Sequence, residues 1–125
     1  MSLRDYLDSF HSAVSKIEDF GFSESIDIKM VIRPSKQAVC KARIVLVDGS
    51  VLQIREYIDA KYKTEKVNYA YHYQDKDGKL IFRYDNAQHR PALEFIDHKH
   101  VSDDTITECV EPDLADVIDE VISYL

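Results

Sequence analysis

Four of the five histidines, His72, His89, His98 and His100, fall between residues 72 and 100, in company with Arg83, Asp85, Asn86 and Lys99. A neutral imidazole near pH 7 accepts and returns a proton. Two such rings, with an arginine to hold developing charge, suffice for phosphodiester transfer or hydrolysis. Arg83 and Asp85 are two residues apart, so in a strand they share a side: the guanidinium could bind phosphate or carboxylate while the carboxylate orients it or a nearby histidine. The same pair could equally brace a wet sheet face as an ion pair, with Asp85-Asn86 starting a turn. His98 and His100 also share a side in extended chain, a spacing found among metal ligands, although histidines in surface loops are common. Glu56 is in phase with Leu52, Ile54 and Ile58. It is either half of a buried ion pair with Lys41, or a carboxylate with a raised pKa beside the site. The catalytic candidates are therefore His89, His98, His100 and Glu56. The substrate-binding candidates are His72, Arg83, Asp85, Asn86 and Lys99, and no metal or cofactor is called for.

Position comes from the surrounding elements. Ser2 suits an N-cap, and Leu3, Tyr6, Leu7, Phe10, Val14, Ile17 and Phe20 recur at helical steps until Gly21 supplies a left-handed stop. Ile26, Ile28, Met30 and Ile32 alternate with Asp27, Lys29, Val31 and Arg33 in a strand that ends at Pro34. Strands follow over Gln37 to Val47 and Val51 to Asp59, joined at Asp48-Gly49, which reads as a two-residue type I′ turn. That register sets Lys41 opposite Glu56. A second hairpin, Val67 to Gln74 and Lys79 to Asn86, turns at Asp77-Gly78 and pairs Tyr73 with Phe82, Tyr71 with Tyr84 and His72 with Arg83. Alternation then gives an aromatic face (Tyr69, Tyr71, Tyr73, Phe82, Tyr84) and a polar face (His72, Arg83, Asp85) free to work. A bulge at Lys76 would flip one strand against the other. A turn around Pro91 and a short extended piece follow. Glu111-Pro112-Asp113 then opens a helix striped by Leu114, Val117, Ile118, Val121 and Ile122. The expectation is one α+β domain over residues 1–125: an antiparallel, meander-like sheet of five or six strands with an N-terminal and a C-terminal helix packed on one face.

At 125 residues, 45% hydrophobic and 31% charged, the chain has the size and composition of one folded domain. No apolar run approaches the roughly 20 residues needed to span a bilayer, and the N-terminus lacks a signal pattern, so a cytoplasmic protein without a membrane partner is expected. Cys40 and Cys109 have no metal-knuckle spacing and read as free thiols. The net charge of −7 argues at first against nucleic acid. Residues 103–125, however, hold eight acids and no Lys or Arg, which leaves 15 acids against 16 bases in residues 1–102. Lys61, Lys63 and Lys66, interleaved with Tyr57, Tyr62 and Tyr69, form a further basic cluster that would suit bases and phosphates and is equally what a solvated loop looks like.

Tyr71-His72-Tyr73, Asp77-Gly78, Arg83-Tyr84-Asp85-Asn86, His89 and His98-Lys99-His100 together resemble the signature region of the TumE family of toxins. The likeness extends to the strand at Arg55 to Asp59 and the helix start at Glu111 to Asp113, roughly the last two-thirds of the chain. It implies the toxin half of a toxin–antitoxin pair with a cognate antitoxin as partner, and leaves the reaction open; RNA is the target that the residues themselves suggest. The reaction suggested by the residues is that of a metal-independent ribonuclease. A non-catalytic protein-binding module and a metal-dependent hydrolase built on the histidines are the alternatives.

Overall fold

The computed structural model describes residues 1–87 and 96–125. Helix α1 (Leu3–Asp19) leads into strands β1 (Ser23–Arg33), β2 (Gln37–Leu46), β3 (Val51–Asp59), β4 (Glu65–Gln74), β5 (Leu80–Asp85), β6 (His98–Val101) and β7 (Ile106–Glu108), and α2 (Leu114–Ser123) closes the chain. All pairings are antiparallel and the order is β1 to β7, a pure meander. Both helices begin where their sequences indicate, and α1 ends at its expected stop. Ser2 and Asp5 form a reciprocal capping box on α1, and Gly21, at φ 75°, provides the left-handed residue after its last turn.

The helices cover one face of the sheet. Phe10, Val14 and Ile17 from α1 and Leu114, Val117, Ile118 and Val121 from α2 meet Cys40, Ala42, Ile44, Leu52, Ile54, Ile58 and the aromatic face of the β4–β5 hairpin. Tyr71, Tyr73 and Phe82 are among the largest fully buried side chains. Cys40 and Cys109 are free thiols, and burial together with the nearby Glu56 carboxylate pushes the Cys40 thiol pKa up to about 12. No helix among the described residues is long and apolar enough to cross a membrane.

Three hairpins use the same device, a three-residue loop with one left-handed residue at its end. In the first, the Leu46 N–H donates to Ser50 O and the Gly49 N–H to Leu46 O, with Gly49 at φ 85°. In the second, Asp75 and Lys79 flank the loop and Gly78 is at φ 84°. The third joins Val101 to Thr105 with Asp104 at φ 66°. The expected two-residue type I′ turn at Asp48-Gly49 is thus corrected, because only the glycine has positive φ. The added loop residue shifts the β2–β3 register by one and sets Cys40, not Lys41, opposite Glu56. In the β4–β5 hairpin the same loop is compensated by a bulge between Tyr73 and Gln74, so the expected pairs Tyr73–Phe82, His72–Arg83 and Tyr71–Tyr84 all form. The seventh strand exceeds the expected five or six. Its turn carries Asp104 where the others carry glycine, and Asp tolerates the left-handed region without announcing it.

Candidate functional site

Because strand pairing is in register across the sheet, side chains on its uncovered face form rows that cross the strands. One row runs Asp27, Arg43, Gln53, His72, Arg83, His100. Its neighbour runs Lys29, Lys41, Arg55, Ala70, Asp85, His98. Both rows run through the histidine-rich cluster that stands out in the sequence and reach β7 at Ile106 and Glu108.

Asp85 is the hub. Its Oδ1 accepts from His98 Nε2 at 2.5 Å and from the Ala87 N–H at 3.0 Å. On Oδ2 it accepts from Arg83 Nε at 2.9 Å, with His100 Nε2 at 3.4 Å. Burial of this carboxylate raises its pKa. The Ala87 N–H, the Arg83 guanidinium and the His98 ring outweigh that cost and hold it below the ordinary carboxylate value. His98 Nδ1 lies 2.8 Å from the Ile96 carbonyl, which can only accept, so this nitrogen is a donor and the ring is locked in orientation. Asp85 and His98 are buried, whereas the His100 and Arg83 side chains retain 20% and 38% exposure. The first pair therefore lies beneath the second. His72 sits across Arg83 from His100, its Nδ1 3.3 Å from an Arg83 terminal nitrogen. Desolvation, then the guanidinium charge, lowers its pKa.

His72, Arg83, Asp85, His98 and His100 are therefore brought together on the uncovered face. His89 lies outside the described residues. Asn86 stands at the edge of the group, where its Oδ1 accepts from the Tyr69 N–H at 3.1 Å and its Nδ2 donates to Val67 O at 3.0 Å, bracing β4 against β5. Lys99 and Glu56 are on the helix-covered face. Lys99 pairs with Glu120 of α2 at 2.9 Å. Glu56, fully buried, accepts from Tyr6 Oη at 2.6 Å and from the Tyr71 hydroxyl, which itself accepts from Lys66 Nζ at 2.7 Å. The Lys61–Lys66 cluster splits. A bulge near Tyr57 turns Lys66 inward over the Tyr69 and Tyr71 rings, while Lys61 and Lys63 stay exposed.

Lys29, Lys41, Arg43 and Arg55 complete the surface, and no motif marks them. They line a concavity of about 800 Å³ with Asp27, Gln53, His72 and Arg83. Their one signal in the sequence is parity: each is an odd-numbered residue opposite its neighbour once the hairpin registers are known. The acids of α2, Asp116, Asp119 and Glu120, belong to a helix packed on the other side of the sheet.

Fold and cluster define a small α+β protein with an electropositive sheet face that ends on an Asp–His group. Residues 13–125 match the family model described as Toxin TumE, and the chain belongs to that family. It is the toxin component of a toxin–antitoxin system, and its partner is a cognate antitoxin. No curated protein and no solved structure matches it significantly.

Proposed function

We propose that this toxin cleaves RNA by metal-independent acid–base chemistry centred on the His72–Arg83–His100 row. The observation that carries the reading is the order of that row: two imidazoles flank one guanidinium, each a strand spacing of about 5 Å away on the same face. A phosphodiester lying on Arg83 has a ring on either side, which suits in-line displacement. His72, neutral because burial and Arg83 disfavour its charged form, takes the 2′-hydroxyl proton. The freed oxygen attacks phosphorus, the bond to the 5′-oxygen breaks, and His100 protonates that oxygen. The products are a 2′,3′-cyclic phosphate and a 5′-hydroxyl. Asp85 stabilises positive charge on the His100 ring that faces it, and buried His98 fixes Asp85 from behind, so both are positioning residues.

Purified toxin incubated with RNA is expected to yield cyclic-phosphate ends, to spare 2′-O-methyl RNA, and to lose activity in His72→Ala, Arg83→Ala and His100→Ala. Expression without antitoxin should arrest growth in wild type but not in those variants. Undiminished toxicity in all three would refute the site.

A second reading has one specific observation in its favour. Ligand atoms of Asp85, His98 and His100 lie within 4.8 Å of one another, a two-histidine, one-carboxylate set that suits zinc, manganese or iron. The Arg83 guanidinium on the same carboxylate opposes a second cation there. Metal analysis of untagged protein separates the two, since an equimolar bound ion would replace the acid–base scheme.

A further inference from the structure

Lys29, Lys41 and Arg55 stand directly opposite one another on β1, β2 and β3, and Arg43 adjoins them on the neighbouring row. Like charges placed opposite across strands lower stability, so a ladder of three cations works against the fold. None of these four side chains is in an ion pair among the described residues, and Asp27 is the one acid in the concavity they line. The ladder is not dispersed over the surface. It lies in a concave trough and leads, row by row, into Arg83 and the Asp85 cluster.

We infer that this trough binds the sugar–phosphate backbone of single-stranded RNA, with Lys29, Lys41, Arg43, Arg55 and Arg83 as its phosphate contacts. This binding mode rests on the proposed cleavage at the Arg83 end, and extends it to how substrate is held. From β1 to β5 the cations span four strand spacings, about 19 Å. That length suits about four nucleotides, the short end of the site sizes of single-strand grooves. Among the described residues that line it, the trough contains no Phe or Tyr ring on which successive bases could stack. Recognition is by charge along the backbone and is indifferent to sequence, and the strand is threaded toward the histidines with its bases facing solvent.

The test measures binding apart from cleavage. A fluorescein-labelled 2′-O-methyl decanucleotide, which cannot form the cyclic product, is titrated with full-length toxin over a range of salt. Five phosphate contacts on a single strand give a slope of log K against log salt of about −3.5. Between 50 and 200 mM salt, affinity then falls about 100-fold. The double variant Lys41→Gln/Arg55→Gln leaves three contacts, so its slope becomes about −2 and the fall about 20-fold. Both side chains are exposed, and unchanged circular dichroism and melting temperature confirm that the variant folds. Lys61→Gln/Lys63→Gln, in the exposed loop, should bind as wild type, and an abasic decanucleotide should bind within a few-fold of the parent. The inference falls if the trough variant keeps the wild-type slope, if the loop variant weakens binding as much, or if abasic substrate fails to bind. It also falls if the trough variant loses the antitoxin while binding the oligonucleotide normally, which would make the face a protein interface. Binding with the expected slopes by a toxin that never cleaves unmodified RNA would refute the proposed reaction and leave the trough intact.

Discussion

Replacing Glu56 by Gln isolates the most concentrated polar interaction of the core. The Glu56 carboxylate is fully buried between α1, β3 and β4 and accepts from the hydroxyls of Tyr6 and Tyr71. Lys66 extends the chain, donating to Tyr71 Oη and, at 2.6 Å, to the carbonyl of Pro112 just before α2. One carboxylate thus anchors both helices to the sheet. Gln has nearly the same shape, so packing is preserved while the charge is lost. A hydrogen bond to a charged acceptor contributes about 1.5–3 kcal/mol against about 1 for a neutral one. Two weakened bonds, one of which now turns an amide N–H toward a tyrosine hydroxyl, and a Lys66 deprived of the negative charge that acts on it most strongly make a loss of about 3 kcal/mol. Lys66 reinforces this: desolvation depresses its pKa, and Glu56 is the strongest of the negative charges that oppose the depression. For a domain of this size the melting temperature should drop by about 10 °C. Urea unfolding followed by circular dichroism, on Glu56→Gln, Tyr71→Phe and the double variant, gives the loss and the coupling between the two groups. Additive effects, or a loss below about 0.5 kcal/mol for Glu56→Gln, would refute the network. Because Glu56 faces the helices, residual folded Glu56→Gln should retain its activity toward RNA, which separates a core carboxylate from a catalytic one.

The Asp85 carboxylate, held below its ordinary value, contributes stability at neutral pH that is lost as pH falls through its lowered folded-state value. The stability difference between wild type and Asp85→Asn should therefore be constant above about pH 5 and shrink toward pH 2; a difference independent of pH would overturn it. His72 also has a depressed pKa, so protonating it opposes the folded form: wild type should lose stability relative to His72→Gln as pH is lowered from the ordinary value of 6.5, and a parallel pair of pH curves would count against the desolvated ring. Gly49→Ala places a Cβ 3.0 Å from Lys76 Cβ at φ 85°, and should cost about 1–2 kcal/mol by denaturant titration. Lys16→Met removes an exposed 2.6 Å pair with Asp119 between the helices and should change stability by less than about 0.5 kcal/mol in the same assay.

Local chemistry makes much of this protein legible from the amino-acid order alone. Periodicity, the Ser2 cap, Gly21 and the Pro112 start define both helices, since these signals act within a turn or two of chain. Strand alternation separates Tyr71, Tyr73 and Phe82 from His72 and Arg83, because successive side chains must point to opposite faces whatever lies beyond. Registers between strands depend on turn geometry, and one extra loop residue moves Lys41 away from Glu56 and leaves the acid to two tyrosines from distant elements. The β6–β7 hairpin is hidden for a related reason, its left-handed position being filled by Asp104. The histidine and arginine group is visible as a density of unusual residues, but its division into buried Asp85 and His98 beneath half-buried Arg83 and His100 requires β5 and β6 to pair. Least legible are Lys29, Lys41, Arg43 and Arg55. Each is an ordinary surface cation in its own strand, and only the stacking of three strands in register gathers them into one trough, since electrostatic potential sums over space and not over sequence.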